Sequence, residues 1–399
     1  MSEAPWLTII GLGEDGLKGL ADASRSALET AEIVMGPERH LSLLEDVSCD
    51  TRVWPVPFSR GIDELKTLRG KKVIVLASGD PFWFGAGATL ARHFDAHEWQ
   101  SHPAPSTFSR VANHLGWPLH TTHCEGLHAK PLAQIRPKLA INTRLIILVR
   151  DGAAVAELAE YFSAEGFPET KMTVFEALGG PRERITEARA NDLPELTFQH
   201  PVCIACDVQG RGRALPVTTG RPDDWFDSDG QITKRPVRAM TLSALAPVPF
   251  EHLWDIGGGS GSIGIEWLLS HPTLSAATFE ARADRAARIT SNAAKLGVGH
   301  LHVITGTAPA ALEGLEPPAA VFIGGGLSEE LLQWIMKNLT AGTRLVANAV
   351  TLETEALLLN AQARWGGDLM RLELSRSEPL GPRRGWKASY PIVQWSVTL

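Results

Sequence analysis

The sequence predicts an α/β protein with more than one domain, and three observations support this prediction. Apolar runs typical of β-strands alternate with amphipathic stretches typical of α-helices along most of the chain. Glycine-rich loops follow two of the apolar runs, at residues 11–16 and 257–261. The chain has 399 residues, of which 44% are hydrophobic and 21% charged, and this length exceeds one ordinary hydrophobic core.

The first half of the chain predicts two α/β units. WLTII, EIVMG and KKVIVLASGDP read as strands of a parallel sheet, with a helix at LADASRSALETA. A second unit follows, with strands at TRLIILVR, KMTVFEAL and PVCIACDV and a helix near AAVAELAEYFSAEG. We place the end of this domain, 1–208, before a predicted linker at 209–221, where Gly, Pro and Arg occur without a hydrophobic period.

Residues 222–399 repeat the alternation and predict a further domain. Helices are predicted at KRPVRAMTLSAL and SIGIEWLLS, and strands at HLWDIGGG, SAATFEA, LHVITG, AAVFIGGG and TRLVANAV. Several of these strands end in glycines, acids or amides. Doubly wound sheets bind their ligands at such strand ends.

The charge and hydropathy of the chain argue against two classes of partner. A net charge of −7 disfavours broad attraction to nucleic acid or to an anionic membrane, since both require a basic surface. The sequence has neither an apolar run of about 18 residues nor a signal-peptide pattern at its start. We expect a cytosolic homo-oligomer that binds neither nucleic acid nor membrane.

The four cysteines are too sparse for a disulfide framework. Cys203 and Cys206 form a CxxC, but no second ligand pair at similar spacing accompanies them. The apolar surroundings favour small thiols in a buried strand, and we expect no metal site.

The first glycine loop has the spacing of a dinucleotide-binding fingerprint but fails its second requirement. Such a site needs an acid about 20 residues later, at the end of the next strand, and Met35 and Gly36 stand there instead. Glu14 and Asp15 inside the loop would also repel a pyrophosphate. We therefore do not expect NAD at residues 11–16.

The second glycine loop meets the same requirement. Asp255 precedes it, and the next strand ends in Glu280, whose carboxylate can accept hydrogen bonds from both hydroxyls of a ribose. NAD and S-adenosylmethionine both carry such a ribose. An acid next to the loop is acceptable for S-adenosylmethionine, which has no pyrophosphate and carries a positive sulfur that Asp255 could favour.

The segment around this loop resembles class I S-adenosylmethionine methyltransferases, and most closely a decarboxylating methyltransferase domain of cobalamin biosynthesis. The similarity lies in DGQITKRPVRAMTLSAL, DIGGGSGSIG, GTAP, AVFIGGG and VANAVTLET, in that order, and covers roughly residues 222–399. It implies a Rossmann-like fold. It also implies that the following residues bind the cofactor: Thr233, Gly257, Gly258, Gly259, Ser260, Gly261, Glu280 and Ala308.

The first half of the chain resembles the tetrapyrrole methylase family, which folds as two α/β units with S-adenosylmethionine between them. The similar motifs are IIGLGEDG, LASGDPFWFGAG, PAPSTFSRVANHLGWP and EALGGPRERI. Many members carry G-x-G-P-G-D at the first loop, and this chain lacks that proline. The resemblance implies a second cofactor site at Gly11, Gly13, Gly79, Asp80, Pro81, Ser106, Thr107 and Gly179.

Both halves together resemble the fused methyltransferases of corrin-ring synthesis. The resemblance implies that the N-terminal domain methylates C5 and that the C-terminal domain methylates C15 with decarboxylation of the C12 acetate, converting precorrin-6B to precorrin-8X. It implies S-adenosyl-L-methionine at two sites and a precorrin as substrate. A cobalt-precorrin version of the same steps, a base methylase, an NAD-dependent oxidoreductase and a non-catalytic tetrapyrrole carrier are the alternatives; FIGGG stands where base methylases usually carry N-P-P-Y.

The sequence shows no catalytic triad or carboxylate pair. Within NAVTLE, Asn348, Thr351 and Glu353 are candidates for promoting decarboxylation, although the same segment also predicts a strand end followed by a helix that Thr351 caps. A polycarboxylate substrate calls for basic side chains. The candidates are Lys234, Arg235 and Arg238 in the C-terminal domain, and Arg182 and Arg184 in the N-terminal domain.

Overall fold

In the computed structural model, which describes residues 5–44 and 47–399, the chain divides into two units. Unit 1 comprises Met1–Leu132 and Lys138–Arg213, and unit 2 comprises Ala133–Pro137 and Ala214–Leu399. Both are α/β, as the sequence predicts. No helix in the described part of the chain is long and apolar enough to cross a membrane.

The first sheet of unit 1 is parallel, with strand order β3-β2-β4-β1-β5. Its strands are β1 (Leu7–Leu12), β2 (Ile33–Gly36), β3 (Asp50–Val53), β4 (Val73–Ser78) and β5 (Trp99–His102). Its helices are α1 (Asp22–Glu29), α2 (Glu38–Leu41), α3 (Phe58–Lys66), α4 (Gly87–Leu90) and α5 (Thr107–Leu115). The central strands are mostly apolar because two separate cores cover their two faces.

The second sheet of unit 1 is mixed, with order β6-β7-β10-β8-β9. Its elements are β6 (Thr122–Gly126), β7 (Arg144–Leu148), α6 (Ala153–Ala164), β8 (Lys171–Glu176), β9 (Arg184–Arg189) and β10 (Val202–Asp207). Only β6 and β7 pair in parallel, and the other neighbours are antiparallel. Cys203 and Cys206 lie buried in β10, and burial raises the pKa of both thiols.

Unit 2 contains a seven-stranded sheet with order β13-β12-β11-β14-β15-β19-β16, in which β19 runs opposite to the other six strands. Its strands are β11 (His252–Ile256), β12 (Ser275–Glu280), β13 (His302–Thr305), β14 (Ala320–Ile323), β15 (Arg344–Ala349), β16 (Asp368–Leu372) and β19 (Ile392–Thr398). Its helices are α7 (Arg235–Leu245), α8 (Ser262–Leu268), α9 (Ala283–Lys295), α10 (Glu329–Asn338) and α11 (Leu352–Trp365). A separate hairpin, β17 (Ser375–Leu380) and β18 (Arg383–Ala388), precedes β19.

The order of this sheet decides where a ligand can bind. Chain connections leave β11 toward β12 on one side and reach β14 on the other, so the strand order reverses between β11 and β14. A crevice forms at the carboxyl ends of strands at such a reversal. The second glycine loop follows β11 and therefore lies at this crevice.

A buried ion cluster anchors the start of unit 2 and includes one predicted site residue. Arg238 is fully buried, and its Nε donates to Glu266 Oε1 at 2.7 Å. The backbone N–H groups of Gly220 and Arg221 donate to the same carboxylate at 2.6 and 2.9 Å. Arg238, predicted to bind substrate, is enclosed with a carboxylate partner away from solvent and does not line the cavity described below. Gly220 and Arg221, at the end of the predicted linker, pack in this cluster.

Candidate active site

A cavity of about 1230 Å³ opens at the carboxyl ends of β11, β12 and β14 in unit 2. It collects most of the residues predicted to bind a cofactor in this half of the chain. Those on its wall are Thr233, Gly257, Gly258, Gly259, Glu280 and Ala308. Ser260 and Gly261 do not line it: Ser260 is buried, and a Cβ at Gly261 would lie 2.6 Å from the Ile289 side chain, so this glycine allows close packing of α9.

The glycine loop brings two backbone segments into contact. Gly257 has φ of +76°, and a Cβ there would lie 2.5 Å from the backbone nitrogen of Gly325, after β14. Any larger residue would push the ends of β11 and β14 apart. Gly259 also has a positive φ, +59°, and its position on the cavity wall leaves backbone exposed to a ligand.

Glu280 ends β12 beside this loop and is only 5% exposed. Its Oε2 accepts a hydrogen bond from the Gly259 N–H at 2.8 Å, and its Oε1 accepts one from the Arg282 N–H at 3.0 Å. A carboxylate has about four acceptor positions, so each oxygen can still accept one more hydrogen bond from the cavity. The carboxylate is therefore fixed in place and able to accept two adjacent hydroxyl groups.

Asp255 does not take part in this wall. Its carboxylate is 1% exposed and accepts from the Gly264 N–H at 3.0 Å and from the Thr278 hydroxyl at 3.3 Å. Burial raises its pKa to about 7. The side chain lies under the loop, where it holds the first turn of α8, so the expectation that it favours a positive sulfur does not fit its position.

Of the three candidates for decarboxylation, only Asn348 lines the cavity. Its Nδ2 donates to Thr241 Oγ1 at 2.9 Å, and its Oδ1 accepts from Gln394 Nε2 at 2.9 Å. Thr351 instead caps α11, because its hydroxyl accepts from the Thr354 N–H. Glu353 is exposed in the first turn of α11, where a backbone N–H and the Thr351 hydroxyl lower its pKa.

The predicted basic residues of unit 2 differ in whether they line the cavity. Lys234 is exposed and lines the cavity. Arg235 is exposed at the start of α7, outside the cavity wall. Three charged residues that the sequence did not single out, Arg376, Glu378 and Lys387, line the cavity from the hairpin.

Unit 1 has a smaller cavity of about 250 Å³ whose wall includes three predicted residues, Asp80, Ser106 and Thr107. Gly11 and Gly79 do not line it. A Cβ at Gly11 would lie 1.8 Å from the carbonyl oxygen of Gly79, so the end of β1 and the turn after β4 touch through their backbones. Gly13, Pro81 and Gly179 do not line the cavity.

The two acids of the first glycine loop are neutralised by arginines. Glu14 forms ion pairs with Arg39 and, at 3.4 Å, with Arg182, while Asp15 pairs with Arg110 at 2.6 Å. The loop therefore has its own cations and does not present free carboxylates to a ligand. Arg182, predicted to bind substrate, therefore already has Glu14 as a partner.

Arg184, the other basic residue predicted for unit 1, is held by Glu176. Its Nη2 donates to Glu176 Oε1 at 2.8 Å and to the carbonyl oxygen of Thr197 at 2.6 Å. Neither Arg182 nor Arg184 lines the unit 1 cavity. The structure therefore gives both side chains acidic partners within the protein.

His40 and the aromatic loop after β4 line the unit 1 cavity and were not predicted. His40 is 2% exposed, and its Nε2 lies 3.0 Å from Ser78 Oγ and 2.7 Å from Arg39 Nη2. Burial, and then the charge of Arg39, lower its pKa to about 4, so the ring is neutral near pH 7. Trp83 and Phe84 follow Pro81 and pack against Phe108. His40 stands alone in the segment PERH, with no motif that would predict its position on the cavity wall.

Comparison with known proteins gives two family matches and close full-length relatives. Residues 7–194 match the model of the tetrapyrrole (corrin/porphyrin) methylases, and residues 224–399 match that of the precorrin methyltransferase domain. A precorrin-6Y C(5,15)-methyltransferase [decarboxylating] from a Sinorhizobium species is 48% identical over 99% of this chain and 97% of its own length.

The chain belongs to the family of decarboxylating precorrin-6Y C(5,15)-methyltransferases.

Two further relatives of this precorrin methyltransferase are shorter. A cobalt-precorrin-6B C(15)-methyltransferase (decarboxylating) from Salmonella typhimurium is 32% identical over 40% of this chain and 85% of its own length. A cobalt-precorrin-7 C(5)-methyltransferase from the same organism is 26% identical over 45% of this chain and 88% of its own length.

Enzymes of this family are S-adenosylmethionine-dependent methyltransferases, and the unit 2 cavity fits that methyl donor. The glycine backbone leaves room where a Cβ would clash, and Glu280 retains acceptor capacity for the two ribose hydroxyls. In the part of the chain that the structure describes, no cluster of three His, Cys, Asp or Glu side chains could hold a metal ion.

Proposed function

We propose that this precorrin methyltransferase transfers methyl groups to C5 and C15 of precorrin-6B and removes the C12 acetate carboxyl as carbon dioxide, giving precorrin-8X. The observation that carries this proposal is the unit 2 cavity. Its volume, about 1230 Å³, exceeds that of a typical site for one drug-sized ligand, roughly 300–1000 Å³. It therefore offers room for a cofactor beside Glu280 and for a second, larger molecule.

We propose two cofactor sites with one methylation each. Unit 1 carries the C5 transfer, and its site involves the turns after β1 and β4 and the start of α5. Unit 2 carries the C15 transfer and the decarboxylation. The names of the two shorter relatives, a C(15)-methyltransferase and a C(5)-methyltransferase, support separate sites. Residues 1–208 and 222–399, joined by 209–221, are the functional domains of this proposal.

In unit 2, Glu280 would hold the ribose and Gly257 to Gly259 would form the floor beneath the adenosine. The bound cofactor supplies an electrophilic methyl group on a sulfonium. The chain itself aligns the ring carbon with that methyl and keeps water away, which is the main requirement when the nucleophile is an enamine-like carbon. This methyl transfer does not require a strong base.

Asn348 is our candidate for contact with the substrate ring. Its amide is oriented by Thr241 and Gln394 and still has one free N–H, since Nδ2 carries two hydrogens and one is donated to Thr241. Because Asn348 lines the cavity, this fixed donor would stabilise negative charge that moves into the ring as carbon dioxide leaves. Lys234, on the same wall, would attract a carboxylate of the substrate.

Mass spectrometry of the product tests this proposal in the full chain. With S-adenosylmethionine and precorrin-6B, the wild type should add two methyl groups and release one carbon dioxide. Glu280→Gln should retain the C5 methyl and lose the C15 methyl and the decarboxylation. The double variant Asp80→Ala, Thr107→Val should lose the C5 methyl and retain the C15 methyl and the decarboxylation. No methyl transfer to precorrin-6B, or a dependence on NADH, would refute it, and the cobalt-containing substrate is run in parallel.

A homo-oligomer is also part of the proposal. Light scattering coupled to size-exclusion chromatography would give a mass that is a multiple of the chain mass. A monomer at micromolar concentration would contradict this expectation.

A further inference from the structure

The β17–β18 hairpin of unit 2 stands apart from the main sheet and forms one wall of the cavity. Among the residues that the structure describes, its two strands pair only with each other, and all six residues of β17 are exposed. A two-stranded hairpin alone is marginally stable in water. Arg376, Glu378 and Lys387 nonetheless face the cavity from it.

Two of these residues form an unfavourable pair. Arg376 lies directly opposite Lys387 in the hairpin ladder. Opposed residues have Cβ atoms about 5 Å apart, and like charges in such positions destabilise the ladder. Glu378 partly compensates, because its Oε2 lies 3.0 Å from Lys387 Nζ. Arg376 makes no ion pair within residues 5–44 and 47–399, so an uncompensated positive charge faces the cavity.

We propose that Arg376 and Lys387 bind one carboxylate side chain of the tetrapyrrole substrate and thereby determine its specificity in unit 2. A carboxylate between them would relieve the repulsion across the ladder. The planar guanidinium of Arg376 suits two parallel hydrogen bonds to its oxygens. This inference rests on the proposed function of unit 2 and adds the residues that recognise the substrate.

The proposed carboxylate site and the predicted cofactor residues lie on different parts of the cavity wall. Glu280 and the glycine loop lie at the ends of β11 and β12, whereas Arg376 and Lys387 lie on the hairpin. Removing the two cations should therefore weaken substrate binding without changing cofactor binding. This separation gives the experiment its control within the same cavity.

The experiment compares Arg376→Gln and Lys387→Gln with Arg383→Gln in the full chain. Arg383 is exposed on the same hairpin but does not line the cavity, so this variant removes the same charge elsewhere. The KM for carbon dioxide release from precorrin-6B should rise about tenfold in each cavity variant, with kcat nearly unchanged. Arg376→Lys should recover part of the loss. Arg383→Gln should stay within about twofold of the wild type.

Two binding measurements accompany the kinetics. Titration with uroporphyrin III, an octacarboxylate tetrapyrrole, should show weaker binding to the two cavity variants than to Arg383→Gln. Calorimetry with S-adenosylhomocysteine should give the same affinity for all variants, which also shows that they are folded. Equal KM values and equal uroporphyrin affinities across the three variants would overturn the inference.

Failure of this inference differs from failure of the proposed function. A wild type that methylates and decarboxylates precorrin-6B, with variants that behave alike, overturns the carboxylate site and leaves the function intact. A wild type that binds uroporphyrin through Arg376 and Lys387 but does not methylate precorrin-6B overturns the function and leaves the site intact.

Discussion

Glu14 and Glu280 both lie beside glycine loops, but their surroundings give them different roles. Glu14 is enclosed by Arg39 and Arg182, so its charge is used within the protein. Glu280 is fixed by two backbone N–H groups and still faces a cavity. The sequence predicts different roles for the two loops from the acid that follows the second strand, but it does not show which cations neutralise Glu14.

Arg238 provides a prediction at the scale of one residue. Replacing it with alanine leaves Glu266 buried beside fewer positive charges. Loss of one partner of a buried ion pair typically costs roughly 3–5 kcal/mol. Urea unfolding should therefore show a loss of this size for Arg238→Ala. The exposed neighbour variant Arg235→Ala should change the free energy of unfolding by less than about 0.5 kcal/mol, and similar losses in both would contradict a structural role.

Asp255 provides a pH-dependent prediction. Its pKa is raised from 3.8 to about 7 in the folded protein, so the native state binds this proton more tightly than the unfolded chain does. The stability from this group is present below about pH 4 and is lost as the pH rises through 7. The upper limit of the effect is about 4 kcal/mol.

Asp255→Asn tests this linkage because the amide does not ionise and keeps an acceptor for the Gly264 N–H. As the pH rises from 4 to 7, the free energy of unfolding of the wild type should fall relative to that of Asp255→Asn. Urea unfolding at several pH values measures it. A difference that does not vary with pH would show that Asp255 keeps an ordinary pKa.

At the scale of elements, the strands that escaped prediction are mostly short, polar edge strands. β3 reads DTRV and β9 reads RITEAR, and both lie at sheet edges. One face of such a strand meets solvent, so the apolar run that marks a central strand is missing. The central strands β1, β4, β11 and β14 were predicted because burial on both faces requires a continuous apolar run.

The first turn of α11 provides a prediction at this scale. Thr351 caps the helix, so Thr351→Ala should cost about 1 kcal/mol of stability. The rate of carbon dioxide release should stay within about twofold of the wild type, because the side chain does not line the cavity. Thr354→Ala, which keeps the cap acceptor, is the matched control. A tenfold slower rate in a folded Thr351→Ala would restore this residue as a catalytic candidate.

The whole molecule has two units, and our proposal predicts one cofactor site in each. Calorimetry with S-adenosylhomocysteine should show two sites per chain in the wild type. Glu280→Gln should weaken one of them about tenfold or more, because a neutral amide accepts fewer hydrogen bonds from the ribose. Glu330→Gln, an exposed change on α10, is the control. A single site in the wild type would contradict the two-site proposal.

The sequence by itself determined the family and fold class, because apolar central strands, glycine loops and an ordered series of motifs are local properties of the chain. It also placed the residues predicted to bind a cofactor in unit 2 at or near the ends of strands, and most of them line one cavity. The domain boundaries and the roles of site residues stay predictions.

Only the tertiary structure decided which charges are free. Arg238 is enclosed with Glu266, Asp255 is buried under its loop, and Arg376 faces Lys387 across a cavity wall. Arg238 and Glu266 lie on different helices, α7 and α8, and the register of the hairpin places Arg376 opposite Lys387. Because burial and ion pairing depend on the packing of distant elements, no local pattern in the chain reveals them.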